Sequence, residues 1–181
     1  MESVSEKPKS LMERCRAVRW LIVDVDGVLT RGDITYVATD GATTGEIKSF
    51  HVRDGSGLKL WHLAGLRSAI ITGRSSPVVA HRAAELGVSR VFQGSSDKMP
   101  ALETIMREDG IDRSAICYVG DDEPDVPLLK YVGLAVAVAD ACPSARAAAH
   151  YVTTAAGGRG AVRETIERIL RCQDKFSPFA G

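Results

Sequence analysis

The chain lacks paired cysteines, a bilayer-length apolar run and any excess of charge of one sign. Cys15, Cys117, Cys142 and Cys172 are scattered, with no C-x-x-C spacing. That excludes a zinc knuckle or a thioredoxin-like redox motif and reads as reduced thiols; Cys117, inside an apolar run, reads as a small buried hydrophobe. No hydrophobic stretch approaches the roughly 20 residues that span a bilayer, and the polar residues 1–19 do not resemble a signal sequence. A cytoplasmic protein without membrane contact is therefore expected. Basic and acidic residues balance at 23 each, which offers no attractive surface to nucleic acid or an anionic membrane. Internal repeats and low-complexity segments are also missing.

What is present suits an ordinary globular chain: 181 residues, 45% hydrophobic and 25% charged, enough for about one domain with a sizeable core. A short helix is expected over 10–18. Two β-like pieces, 34–37 and 46–50, flank turn chemistry at Thr39, Asp40 and Gly41 and predict a hairpin. Beyond Gly55, helical and strand patterns alternate. Leu58, Leu60, Trp61 and Leu63 suit a helix ending near Gly65, and a strand is expected over 68–71. Ser76 followed by Pro77 opens a helix that Gly87 closes. Further strands are expected at 91–92, 115–119, 134–138 and 151–152, with helices at 98–108, 126–131, 143–149 and 162–172. Such alternation implies an α/β fold, a doubly wound parallel sheet covered on both faces. The expected organisation is an N-terminal extension (1–19), one domain (20–172) with a small β-hairpin flap at about 33–50, and a flexible tail (173–181).

The chemistry gathers at the expected strand ends, where open parallel sheets bind ligands. The run from Trp20 delivers Asp24 and Asp26 into a glycine turn. Residues two apart in an extended chain face the same way, and acids leaving water need a partner or a metal. A plain turn is the bland alternative; a calcium loop is disfavoured because the spaced acids and distal Glu of an EF-hand are missing. Thr72-Gly73-Arg74 follows the second strand, Lys98 opens the helix after the third, and Gly120-Asp121-Asp122-Glu123-Pro124-Asp125 follows the fourth. Taken singly, Asp121 and Asp122 could be helix caps, Thr72-Gly73 a strand exit, and Lys98 a solvated helix residue.

In this order, D-x-D-G-V-L-T, I-T-G-R, a lone Lys and G-D-D-x-x-D resemble the haloacid dehalogenase superfamily of phosphotransferases, over residues 20–170. The resemblance implies Asp24 as nucleophile toward phosphorus and Asp26 as general acid and base. Thr72 and Gly73 would bind phosphoryl oxygens, and Lys98 would neutralise their charge. It further implies a magnesium ion held by Asp24, the Asp26 carbonyl and Asp121, with Asp122 joining through water.

The short stretch between Asp24 and Thr72 leaves no room for a full cap domain, which resembles the capless tetrameric branch, where neighbouring subunits close the site. Phe50-His51-Val52-Arg53-Asp54-Gly55-Ser56-Gly57 is similar to the F-x-V-R-D-G-x-G segment of the 3-deoxy-D-manno-octulosonate 8-phosphate phosphatases, and residues 93–94, 136–141 and 157–164 also match. That likeness implies a phosphorylated sugar acid as substrate, contacted by Asp26, His51, Val52, Arg53, Asp54, Gly55, Arg74, Arg82 and Lys98. Arg82 would reach the sugar carboxylate in an adjacent subunit, since a guanidinium binds such an anion bidentately. Phosphatases of nine-carbon keto acids share the catalytic motifs and stand as an alternative, as does a non-catalytic tetramerisation module. His62, His81 and His150 read as surface or packing residues. Ser56 and Trp61 carry no assignment, and the hairpin is a few residues longer than usual.

Overall fold

A computed structural model describes residues 9–39 and 42–176. Ser10 caps helix α1 (Leu11–Ala17) reciprocally with Glu13, whose carboxylate accepts the Ser10 amide at 2.7 Å. Strand β1 (Trp20–Val23) is buried along its whole length, as expected of a central parallel strand covered on both faces. The chain then leaves the main sheet for a hairpin, β2 (Thr35–Thr39) and β3 (Ala42–Ile47). It returns through α2 (Val52–Leu63), β4 (Arg67–Ile71), α3 (Pro77–Leu86), β5 (Arg90–Phe92) and α4 (Met99–Asp109). Last come β6 (Ile116–Gly120), α5 (Val126–Tyr131), β7 (Leu134–Ala137), α6 (Pro143–Ala148), β8 (Tyr151–Val152) and α7 (Ala161–Cys172).

The main sheet has six strands in the order β5-β4-β1-β6-β7-β8, and every pairing is parallel. After β1 the chain builds outward through β4 and β5, then crosses back to place β6 on the other side of β1. The carboxyl end of β1 is thus the switch point at which such sheets form a crevice. Helix α7 packs on α1 and α2, while α5 packs on α4 and α6, giving the two helical layers of the expected fold.

Some local expectations needed adjustment. The hairpin strands are displaced from 34–37 and 46–50: β3 begins nearer the turn and ends at Ile47, so residues 48–50 are free to bend toward the sheet. Asp40 and Gly41 of the expected turn lie outside the described residues. Trp61 is wholly buried, and its indole donates to the Arg67 carbonyl at 2.7 Å, while the Ser56 hydroxyl donates to the Val52 carbonyl at 3.1 Å within α2. His62 bonds the Ser68 hydroxyl at 2.8 Å, and His150 accepts the Ala135 amide at 2.9 Å. Past Cys172 the chain stays in place through Phe176, because Gln173 donates to the Cys15 and Val18 carbonyls and Arg171 covers the Phe176 ring at 3.9 Å. The remainder of the tail lies outside the described residues.

One buried acid braces the region that follows β1. Asp54, 1% exposed in the first turn of α2, accepts the Gly160 amide at 3.1 Å and the Arg163 amide at 2.8 Å. This fixes the glycine loop 157–160, which lies directly on the turn after Asp26. The Gly158 amide donates to the Val28 carbonyl at 2.8 Å, and a Cβ on Gly157 would stand 1.7 Å from the Gly27 carbonyl oxygen. Asp54 is therefore a fastening for backbone, contrary to its expected contact with substrate. Asp54→Ala leaves these amides without their acceptor and should cost about 2–3 kcal/mol of stability, measured by chemical denaturation.

Candidate active site

The site is assembled from the loops that follow β1, β4 and β6 and from the start of α4. Asp24, Asp26, Thr72, Gly73, Arg74, Lys98, Asp121 and Asp122 line one cleft of about 440 Å³, together with Ser95, Ser96, Pro124 and Asp125. The expected catalytic and metal residues are thus brought together from four separate parts of the chain.

At its floor sits a buried ammonium. Lys98, 4% exposed, is the residue before α4. Its Nζ lies 2.6 Å from Asp125 Oδ1 and 3.1 Å from Asp24 Oδ1, the latter an ion pair not aligned as a hydrogen bond. Tyr118 on β6 donates its hydroxyl to Asp125 Oδ1 at 2.5 Å, and Asp125 Oδ2 accepts the amides of Asp121 (2.8 Å) and Asp122 (3.2 Å). Burial works against the Lys98 charge, but Asp24 and Asp125 outweigh it and raise its pKa. Asp125 is the group that sequence reasoning missed. The last Asp of G-D-D-x-x-D was visible, but not that both its oxygens would be spent on holding Lys98 and the turn carrying Asp121.

The other charges are less satisfied. Asp24 is 7% exposed, and burial lifts its pKa to about 6 even with Lys98 beside it. Burial, reinforced by Asp24 and Asp125, lifts Asp121 to about 8. Oδ1 of Asp24 and Oδ1 of Asp121 are buried without a hydrogen-bond partner, and carboxylate oxygens of Asp24, Asp121 and Asp125 lie within 4.8 Å of one another. Crowded acids with unspent oxygens fit a hard divalent cation, and magnesium suits a site with few carboxylates and room for water and phosphate oxygens. Gly27 makes the approach feasible: at φ +88°, it would put any Cβ 2.0 Å from Asp121 Oδ2. Of the residues expected to hold the ion, Asp122 is exposed at the cleft edge, and Asp26, whose expected contribution is its backbone carbonyl, has its carboxylate paired with Lys48.

Asp26 belongs to a second network, whose main members were also missed. Lys48, just beyond β3 and with its side chain 1% exposed, forms a close ion pair with Asp26 and lies 3.5 Å from Glu46. Arg74 completes the ring, 3.1 Å from Glu46 and 3.8 Å from Asp26, and also donates to the Tyr36 hydroxyl at 3.3 Å. The hairpin is thereby tied to the cleft. The only sequence signal was a basic residue at the foot of the hairpin.

The remaining expected substrate contacts, His51, Val52, Arg53, Asp54, Gly55 and Arg82, do not line the cleft. His51 caps α2, accepting the Arg53 amide at 3.3 Å, and the Val52 side chain is exposed. Arg82 lies against Gly55, with its guanidinium 5.8 Å from the Phe50 ring and 3.3 Å from Glu85.

A family model described as haloacid dehalogenase-like hydrolase matches residues 83–164. The curated 3-deoxy-D-manno-octulosonate 8-phosphate phosphatase of Escherichia coli is 42% identical over 171 residues, covering 94% of this chain and 89% of that protein. The crystal structure of the Moraxella catarrhalis phosphatase of the same name, in complex with magnesium, phosphate and KDO, superposes with a TM-score of 0.86 at 41% identity, covering 91% of this chain and 92% of that one. The cobalt-bound phosphatase from Haemophilus influenzae superposes with a TM-score of 0.85 at 39% identity, covering 93% and 96% of the two chains.

The metal-free site carries a pH signature. Asp24 and Asp121, raised from 3.8 to about 6 and about 8, keep protons in the folded state that the unfolded chain releases, so their contribution to stability falls as pH rises through that window. Magnesium removes this penalty by binding the deprotonated acids. The gap between unfolding midpoints with magnesium and with EDTA should widen steadily from about pH 5 to about pH 8; a gap independent of pH would contradict the assignment.

Proposed function

Since this chain belongs to the haloacid dehalogenase-like hydrolases, we propose that its cleft hydrolyses the phosphate monoester of a sugar acid, 3-deoxy-D-manno-octulosonate 8-phosphate, to the free sugar acid and inorganic phosphate. The observation that carries this reading is the Asp24 carboxylate held between the Lys98 ammonium and the acid cluster at the sheet's switch point. A carboxylate approaching an anionic phosphate is repelled unless cations surround the transferring group. Magnesium, held by Asp24 and Asp121, supplies that charge when bound.

Asp24 attacks phosphorus while the bond from phosphorus to the sugar oxygen breaks, and Asp26 gives its proton to that oxygen. An aspartyl-phosphate results. Asp26, now ionised, takes a proton from water, whose oxygen attacks phosphorus and returns Asp24 with release of phosphate. Thr72 and Gly73 bind phosphoryl oxygens, and Lys98 offsets the charge they gain. The cleft is shallow for a reaction that benefits from excluding water. On this reading a homotetramer closes it, with Arg74 meeting the sugar acid phosphate from within the cleft and His51, Val52, Arg53, Gly55 and Arg82 turned to it from a neighbouring subunit. The exposed Ile34, Tyr36 and Ile47 of the hairpin support such contacts. The activity belongs to the synthesis of lipopolysaccharide precursors in the cytoplasm.

Asp24→Asn should reduce turnover to background while leaving the oligomer intact, assayed by phosphate release and light scattering. The wild-type enzyme should prefer the eight-carbon substrate in kcat/KM. A preference for 2-keto-3-deoxynononate or sialic acid 9-phosphate would reassign the substrate, and no phosphate release from any sugar phosphate with magnesium present would favour a tetramerisation module. Lys48 acts through Asp26 as a positioning residue. Lys48→Met should lower kcat by about tenfold to a hundredfold with KM little changed and the fold retained, and Lys48→Arg should recover much of the loss.

A further inference from the structure

At the opposite end of the sheet from the catalytic cleft lies a second recess, of about 380 Å³, framed by the segments that lead into β6, β7 and β8. Lys9, Arg14, Arg113 and Lys130 line it, with His150 and Tyr131 beside them, and among the described residues no carboxylate does. Elsewhere in the fold Arg31, Arg67, Arg74, Arg90, Arg163 and Arg171 sit in ion pairs, while Arg16, Arg19, Arg53, Arg146, Arg159 and Arg168 have no acid at that distance among the described residues. Among the described residues, none of the four cations at the recess has an acid within ion-pair distance. The neighbouring Asp112 carboxylate accepts the Ser114 amide at 2.8 Å and, from beyond ion-pair distance, offsets part of the charge of Arg113 and Lys9, as Glu13 does for Lys9.

Two of the cations, Arg14 and Arg113, are also held in place. Arg14 donates from Nη1 to the Gly133 carbonyl at 2.6 Å, which leaves its other guanidinium nitrogens as free donors. Arg113 stacks its guanidinium 5.2 Å from the Tyr131 ring centroid, and the Gly133 amide donates to the Arg113 carbonyl at 2.8 Å. His150 Nδ1 accepts the Ala135 amide, so its proton resides on Nε2. In a chain of zero net charge, four convergent and unpaired cations cost self-repulsion that an anion would relieve.

We infer that this recess is a second anion site, distinct from the catalytic cleft, that takes a phosphoryl group between Arg14, Arg113 and Lys130. Guanidinium forks with a lysine point charge suit phosphate oxygens. Arg113 covers one face of the Tyr131 ring. The phosphoryl group can belong to free phosphate or to a substituted phosphate, and the two are separable by experiment. The inference rests on the recess alone and stands whether or not the proposed substrate is right.

Amide-resolved NMR of the magnesium-loaded protein, titrated with inorganic phosphate or with methylphosphonate at fixed ionic strength, tests it. Saturable shifts are expected at Ser114, Tyr131, Gly133 and His150, separate from those at Thr72 and Gly73. Saturation by phosphate alone identifies the free anion as ligand, and saturation by both admits substituted phosphates. The double variant R113A/K130A should weaken binding at the recess at least tenfold while the shifts at Thr72 and Gly73, the unfolding midpoint and phosphate-release activity persist. Shifts that never saturate, that sodium chloride reproduces, or that the double variant retains would overturn the inference.

Discussion

The Lys98 ammonium, buried between Asp24 and Asp125, is the interaction on which the rest of the site depends. A lysine this deep keeps its charge only with partners, and its partners come from the loops after two adjacent central strands. Asp125 meets this need and at the same time holds the turn that carries Asp121. Gly120 is part of the same arrangement, since a Cβ there would lie 2.6 Å from Asp125. Removing either Asp125 or Lys98 leaves an uncompensated buried charge rather than merely one contact fewer. The position of the Asp24 carboxylate and the shape of the candidate metal site are therefore set by one ion-pair network.

The parallel sheet explains why these groups can meet at all. Asp24 lies where the chain reverses its direction of sheet building, so the loops after β1, β4 and β6 diverge there and leave a crevice. The glycine loop at 157–160 presses on the turn after Asp26 and is itself fixed by Asp54, well away from the cleft. The D-x-D-G turn is in this way held from below by Asp54, from inside by Lys98 and from above by Lys48. Rigid support of this kind is what positions a reacting carboxylate to within a fraction of an ångström.

Legibility in the sequence followed the range of the interactions. Acids at the end of an apolar run, a proline after Ser76 and a glycine after Leu86 are local signals, and the strands, helices and cleft-lining acids they imply are where they were expected. Asp125 and Lys48 carried no local mark of their roles, because both are defined by partners distant in sequence: Lys98 for one and Asp26 for the other. The structural part that Asp54 plays was hidden for the same reason. Its place in a motif suggested contact with substrate, whereas its oxygens meet the amides of Gly160 and Arg163 across the fold. Motif spacing locates a residue on an element, but only the packing of α2 on α7 decides which way that residue faces.

The hairpin connects the molecular surface to the cleft. Asp26 is bound on one side by Lys48 and on the other approached by Arg74, and both cations also reach Glu46 on β3. A phosphorylated anion entering the cleft would compete with Asp26 and Glu46 for Arg74 and so loosen the ring around the Asp26 carboxylate, to which the proposed mechanism gives the proton transfer. Any subunit contact that moves β2 and β3 shifts the same ring from outside. A capless domain thereby gains, from a two-stranded excursion between β1 and α2, a link between its surface and the Asp26 carboxylate that the buried Lys98 network is too tightly held to provide.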